Sequence, residues 1–346
     1  MRALFYFLYC AAVLAVVFFL AEGVVRLAGD KPYVPVTFNI QVEPGGKFFT
    51  PHPTLGYAHL PGAFKITLPT GYSFTATHGA DTLRLTEPPA TTAAAGTRPE
   101  IWIFGCSITH AWAVNDTDTY PWLLHERLPQ YRVVNFGVDG YSNVQGLIQL
   151  EEALAQGRVP QVVVAAYGSL HDTRNICSRL YRKAVIPHNR LGELLLPCGR
   201  IDNHGNLQII RVQLGYEPLP LMGWSAFIHR LEQVYLKNEG KFRHSHEVSR
   251  AILLRMAGLC RDRGITFVVA GVKDDRPTRE MLAFLQKRGI LAVDVAVDLN
   301  LPEYNNRPHD GHPSPRAHRH YADELAQFLQ GHPPLVTPAA PPAAAP

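Results

Sequence analysis

The chain has 346 residues, 47% of them hydrophobic and 18% charged, enough apolar material for a large core and too much for a chain disordered throughout. Lys+Arg 33 against Asp+Glu 29 leaves a net charge of +4, without the clustered basic excess of a nucleic-acid binder, so nucleic acid is not an expected partner. Five scattered cysteines form no C-x-x-C pair, which removes zinc-ribbon and thioredoxin-type readings.

Residues 3–25 (ALFYFLYCAAVLAVVFFLAEGVV) carry a single charge, Glu22. A helix rises about 1.5 Å per residue, so roughly 20 such residues cross a hydrocarbon core about 30 Å thick, and residues 1–29 are expected to form a transmembrane anchor. The run is longer than a signal-peptide core and Ala21-Glu22-Gly23 is a poor cleavage site, so the anchor is expected to be retained. Arg2 flanks one end and Arg26 and Lys31 the other, so charge barely decides orientation. The bulk of the chain is expected outside the cytoplasm, on the periplasmic side of an inner membrane, because such anchors tether exported domains. Cys177 and Cys198 would then meet an oxidising compartment, where a bridge closing a loop of about 20 residues contributes roughly 3 kcal/mol; two reduced, inert thiols are the other reading.

Residues 30–97 read as a β-rich lead-in, with β-prone pieces at 64–68 and 72–77 between Gly/Pro punctuation, closing on a low-complexity linker at 90–96. From Glu100 the pattern becomes an alternation of strands and helices. Strands are expected at 101–104, 132–136, 161–167, 265–271 and 290–294, and helices at 121–128, 144–155, 246–263 and 278–288. A last helix opens with Ser314 as N-cap and Pro315 in its first turn, and carries Ala317, Tyr321, Leu325 and Phe328 on one face. The expected fold is α/β: a flavodoxin-like three-layer sandwich with a five-stranded parallel sheet over residues 98–331. Residues 176–245 break the alternation and read as an insertion, either a lid over the ligand crevice or a decorative or membrane-facing subdomain. The Pro/Ala-rich residues 332–346 read as a flexible tail.

Four loops at strand carboxyl ends carry the candidate chemistry. Ser107 follows the first strand at a turn into a helix, where a hydroxyl can be activated by a base and backbone N–H groups can meet an oxyanion; a serine there also serves as a cap. His309-Asp310-Gly311-His312 follows the fifth strand, and a carboxylate two residues before an imidazole can fix its tautomer and leave the other nitrogen for the serine. Gly140, after the second strand, offers a backbone N–H or simply a positive-φ turn. After the third strand, His171, Asp172 and Asn175 form a polar cluster that could bind substrate or act as a capping network.

In this order the motifs resemble those of the SGNH (GDSL-type) hydrolases. FGCSITHAWAVNDTDTYPWLL is similar to that family's Ser block, VVNFGVDGYSNVQ to its Gly block and DGHPSPRAHRHYADEL to its last block and helix. FTPHPTLGYAHLPG resembles the segment that precedes the hydrolase in membrane-anchored bacterial members. The resemblance implies that Ser107 is nucleophile and first oxyanion donor, Gly140 the second donor, His312 the base and Asp310 its partner. It further implies cleavage or transfer of an acyl ester through an acyl-enzyme, with no metal or organic cofactor. Cys106 stands where the family has an Asp, and His171 where it has an Asn donor, so the His171 imidazole would donate or Asn175 would swing in. The expected substrate is an acylated small molecule, glycan or lipid. The alternatives are an O-acyltransferase acting on a cell-surface glycan and a catalytically decayed glycan- or lipid-binding module. A metal site built from His309, Asp310, His312, His318 and His320 is the weaker rival, since His318 and His320 lie about 200° apart around the last helix.

Overall fold

The computed structural model describes residues 1–88 and 98–332; the linker expected at 90–96 and the tail from 333 onward lie outside the described residues. Helix α1 (Arg2–Leu27) has no buried residue and is long and apolar enough to cross a membrane.

The lead-in is a small β module. Strands β1 (Gln41–Glu43), β2 (Phe49–His52), β3 (Gly56–His59), β4 (Gly62–Thr67) and β5 (Ser73–His78) pair as an antiparallel sheet in the order β1-β4-β5 and a β2–β3 hairpin. Its inward Phe48, Phe64, Ile66 and Phe74 share one apolar cluster with Trp112 and Ala113, which follow the candidate nucleophile. Single bridges His78↔Arg84 and Arg84↔Asn135 join the module to the edge of the main sheet.

The sandwich starts with β6 (Glu100–Phe104), the short α2 (Ser107–His110), α3 (Tyr120–Arg127), β7 (Arg132–Asn135), α4 (Asn143–Ala155), β8 (Val162–Tyr167) and α5 (Leu170–Asn175). The insertion holds α6 (Arg179–Val185), a hairpin of β9 (Leu195–Ile201) and β10 (Leu207–Gln213), and α7 (Ala226–Phe242). The chain then returns through α8 (Ser245–Arg261), β11 (Thr266–Gly271), α9 (Arg276–Gln286), β12 (Leu291–Asp294) and α10 (Pro315–Gln330). The five-stranded sheet runs β7-β6-β8-β11-β12, parallel throughout. Counted along the chain this is the order 2-1-3-4-5 of doubly wound flavodoxin-like folds, as expected from the sequence.

Alternation along the strands feeds two cores. Trp102 and Phe104 pack under α4, α8 and α9, whereas Ile101 and Ile103 pack under α3 and α10. Strand β8 is buried on both faces, which is why it reads as an uninterrupted apolar run. At the start of α10 the Ser314 hydroxyl accepts the Ala317 N–H, and Ala317, Tyr321 and Leu325 face the sheet at helical spacing. In the insertion Cys177 and Cys198 form a disulfide with Cα atoms 5.6 Å apart, tying the end of α5 to β9.

Candidate active site

Gly105 lets the chain turn directly out of β6, since a Cβ there would collide with Thr109. Ser107 thus becomes the first residue of α2, at the carboxyl edge of the sheet. The backbone beyond it is left-handed at Ala111 (φ 71°) and Ala113 (φ 65°), a conformation that costs a residue with a Cβ energy and persists only where neighbours enforce it. The enforcing group is the buried guanidinium of Arg84. Its Nη1 donates to the carbonyls of His110 (2.7 Å) and Ala111 (2.6 Å), its Nη2 to those of Thr75 and Val114 (both 2.8 Å), and its Nε to Asp116 Oδ1 (2.9 Å).

The loop between β12 and α10 brings the imidazole. His312 Nε2 lies 2.9 Å from Ser107 Oγ, and its Nδ1 lies 2.5 Å from Asp310 Oδ1, which also accepts the His312 backbone N–H at 2.7 Å. Asp310 therefore grips both the ring and the backbone of His312, so a separation of two residues suffices to orient the imidazole. Burial disfavours the imidazolium, but the Asp310 bond and charge outweigh it and raise the His312 pKa above its usual 6.5. Burial likewise opposes the Asp310 carboxylate, and its His312 contacts reverse this and lower its pKa. A cleft of about 340 Å³ opens beside these groups, walled by Ile108, Leu170, Leu299 and Pro313 and reached by the Arg174 side chain. None of residues 176–245 lines it.

Gly140 has φ 80°, and a Cβ there would come 2.4 Å from the Tyr57 hydroxyl, so the turn requires glycine. The loop is held from several sides: Tyr57 donates to the Asp139 carbonyl (2.8 Å) and Tyr181 to that of Gly140 (2.9 Å). The Asp139 carboxylate takes His110 Nδ1 on one oxygen and His59 Nε2 on the other, each at 3.1 Å. Burial opposes ionisation of Asp139, yet these two imidazoles hold its pKa well below the carboxylate range.

The third loop corrects the sequence reading. Asp172 accepts from the Tyr167 hydroxyl (2.7 Å) and Ser249 (2.6 Å) and pairs with His246 (2.9 Å), so it braces α5 against α8. Asn175 is fully buried; it accepts the Val144 N–H at 3.1 Å and donates to Ser249 Oγ at 2.8 Å, which leaves it no freedom to swing toward Ser107. His171 is also fully buried and does not line the cleft; its Nδ1 meets the Gly168 backbone while Nε2 has no partner. Burial, and next the charge of Arg174, push its pKa down to about 3, so the ring is neutral.

The histidines of the C-terminal stretch do not gather. His318 is buried against Tyr120, and His309 stacks on Tyr72. Among the described residues, metal-type ligand atoms come together instead at the buried His59, His78 and His110, all within 4.8 Å. Their rings lie at only 12° to 31° to one another with centroids 4.2–5.3 Å apart, a near-parallel stack whose lone pairs do not converge on a point. A hydrogen-bond chain accounts for the contacts, with His78 Nε2 3.0 Å from His110 Nε2 and His110 and His59 on Asp139. Sequence reasoning missed this cluster, Arg84 and Arg174; the first two lie in the lead-in or across its junction, and no short motif signals them.

No family model and no curated relative matches the chain. Solved structures similar to it include a member of the lipolytic protein G-D-S-L family from Veillonella parvula (12% identity, TM-score 0.38, covering 66% of this chain and 96% of that one). Others are a psychrotrophic esterase from Pseudoalteromonas sp. (10%, 0.39, 67% and 97%) and an acetylxylan esterase from Geobacillus stearothermophilus (15%, 0.38, 68% and 96%).

Proposed function

We propose that this chain is a membrane-anchored serine esterase that cleaves small acyl esters, with Ser107 as nucleophile, His312 as base and Asp310 as its orienting partner. The observation that carries the reading is the continuous relay Ser107 Oγ–His312 Nε2, 2.9 Å, and His312 Nδ1–Asp310 Oδ1, 2.5 Å, at the mouth of a cleft. Neutral His312 takes the hydroxyl proton as Oγ bonds to the acyl carbon; the carbonyl π electrons move onto oxygen. Collapse of that adduct expels the alcohol, which leaves with the proton from His312, and water repeats the two steps to free the acid and Ser107. The backbone N–H groups of Ser107 and Gly140 are the proposed oxyanion donors. His171 is a positioning residue in this reading: with Nδ1 accepting from the Gly168 N–H, it fixes the turn that brings Leu170 to the cleft wall.

A cleft near the lower end of the size range for ligand sites, with apolar walls, suits a short acyl group such as acetyl. The uninterrupted α1 supports membrane attachment, and the Cys177–Cys198 bridge supports an oxidising, extracytoplasmic compartment, the periplasmic side in a cell with two membranes. The test is labelling of the detergent-solubilised full chain by a fluorophosphonate, together with hydrolysis of p-nitrophenyl acetate. Both should occur and both should vanish in Ser107→Ala. Absence of labelling in the parent chain refutes the reading, and turnover only when a carbohydrate acceptor is added replaces hydrolysis by acyl transfer.

A further inference from the structure

Helix α7 is built the wrong way round for a helix in water. Its buried positions include Glu232 and Glu239, while Leu231, Val234, Tyr235 and Phe242 are exposed. The inward acids are matched: Glu232 pairs with Arg179 (2.7 Å) and Lys183 (2.5 Å), and Glu239 with Arg243 (3.1 Å). The polar side of the helix is thus spent on the protein. With 3.6 residues per turn, Leu231, Val234, Tyr235 and Phe242 fall within about 100° of arc. Exposed Arg230, Lys237 and Lys241 form a row along one edge of that stripe. The segment leading into α7 continues the surface, with Leu221 63% and Trp224 84% exposed.

What covers this face follows from how α7 is joined to α1. Glu22, the one acidic residue of the apolar run, caps α7: its carboxylate accepts from Ser225 Oγ (2.6 Å) and from the backbone N–H groups of Ala226 (3.0 Å) and Phe227 (2.9 Å). Arg26 bonds Glu22 and donates to the Trp224 carbonyl at 2.7 Å, and the rings of Phe18 and Phe227 meet with centroids 6.0 Å apart. Phe18 lies nine residues before the end of α1, about 13 Å along its axis. When α1 spans a bilayer, Phe227 and the start of α7 are therefore held at the depth of its outer turns, and the exposed stripe starts at that level.

We propose that the Leu221–Trp224 segment and the apolar stripe of α7 form an interfacial membrane-docking surface, seated among acyl chains and headgroups beside α1, with Arg230, Lys237 and Lys241 directed at anionic headgroups. Aromatic and aliphatic side chains below a row of snorkelling cations are the composition of such elements. The proposal rests on the membrane-anchor part of the reading above and is independent of the esterase chemistry. It gives the insertion a role: the segment that breaks the strand–helix alternation sets how the catalytic body sits on the lipid.

The test uses the full chain reconstituted in vesicles of phosphatidylcholine and phosphatidylglycerol, with Trp224 fluorescence isolated as the difference between the parent and Trp224→Phe. Trp102 and Trp112 are buried and Trp122 is partly so, which keeps the difference clean. A spin label placed near the headgroup end of the acyl chain should quench the Trp224 component at least about twofold, and aqueous iodide should leave it bright. A Trp224 component open to iodide and untouched by the lipid label overturns the proposal while the anchor stands, provided alkaline carbonate leaves the chain in the membrane. Release by carbonate overturns the anchor reading and the docking proposal with it. Shielding from iodide without lipid quenching, accompanied by cross-linked pairs, assigns the face to a second copy of the chain and likewise overturns it.

Discussion

Loss of the Arg84 side chain should cost the fold several kcal/mol although it is a polar group. It reaches from the lead-in across the sheet edge, is fully buried, and donates five hydrogen bonds, three of them to the carbonyls of His110, Ala111 and Val114 at the left-handed Ala111–Ala113 turn. Replacement by methionine keeps the apolar stem and removes every donor. Desolvation of the guanidinium is recovered, so the five bonds do not simply add; breaking a buried charge pair by removing one partner typically costs about 3–5 kcal/mol, and we take about 4 kcal/mol here. At roughly 2 °C per kcal/mol for a domain of this size, Tm should fall by about 8 °C. Arg84→Lys should recover less than half of the loss, because an ammonium cannot reach acceptors spread around a planar fork. Differential scanning calorimetry of the full chain in detergent reads the shift. Fluorophosphonate labelling at a temperature where both proteins are folded reads the slackening of the turn after Ser107. A Tm within about 2 °C of the parent would show that the turn holds itself and refute the argument.

Esterase activity should rise with pH along a single acid limb whose midpoint lies above 6.5, because the base must be neutral and Asp310 stabilises its charged form. Asp310→Asn should move that limb to lower pH and reduce kcat by roughly 10³-fold; an unmoved limb in the pH–rate profile would disconnect Asp310 from His312. Arg174→Ala, which removes the one charged side chain on the cleft wall other than the relay among the described residues, should raise KM for acidic ester substrates by about tenfold while leaving kcat for p-nitrophenyl acetate within about twofold. Cys198→Ser opens a loop of 21 residues and should destabilise the chain by about 3 kcal/mol, read as a lower midpoint in urea under non-reducing conditions.

The sandwich was legible where burial and local chemistry agree. Strand β8, apolar on both faces, lies within a residue of its expected bounds, and α10 starts at Pro315 as Ser314-Pro315 announces, with Ala317, Tyr321 and Leu325 of its expected face buried. The Ser107–His312 meeting was legible because loops after parallel strands share one edge. Other parts were not, for identifiable reasons. Periodicity describes helices that bury their apolar side, and α7 buries Glu232 and Glu239 instead, so it merged into an irregular insertion. Polar residues after an apolar strand look like a site, but Asp172 and Asn175 serve α8 and α4, partners remote in sequence. The imidazoles of His59, His78 and His110 come from two lead-in strands and the short helix that Ser107 opens, and no spacing rule joins them.

Asp139 gives one carboxylate oxygen to an imidazole of the lead-in and the other to an imidazole three residues past Ser107, while Tyr57 pins its carbonyl. The smallest piece of this chain that keeps the candidate site intact is consequently not the α/β sandwich. A truncation starting at Arg98 would discard Tyr57, His59 and Arg84 together and leave an ionised aspartate bare beside the candidate site. Any shortened version meant for crystallography or engineering has to begin upstream of β1.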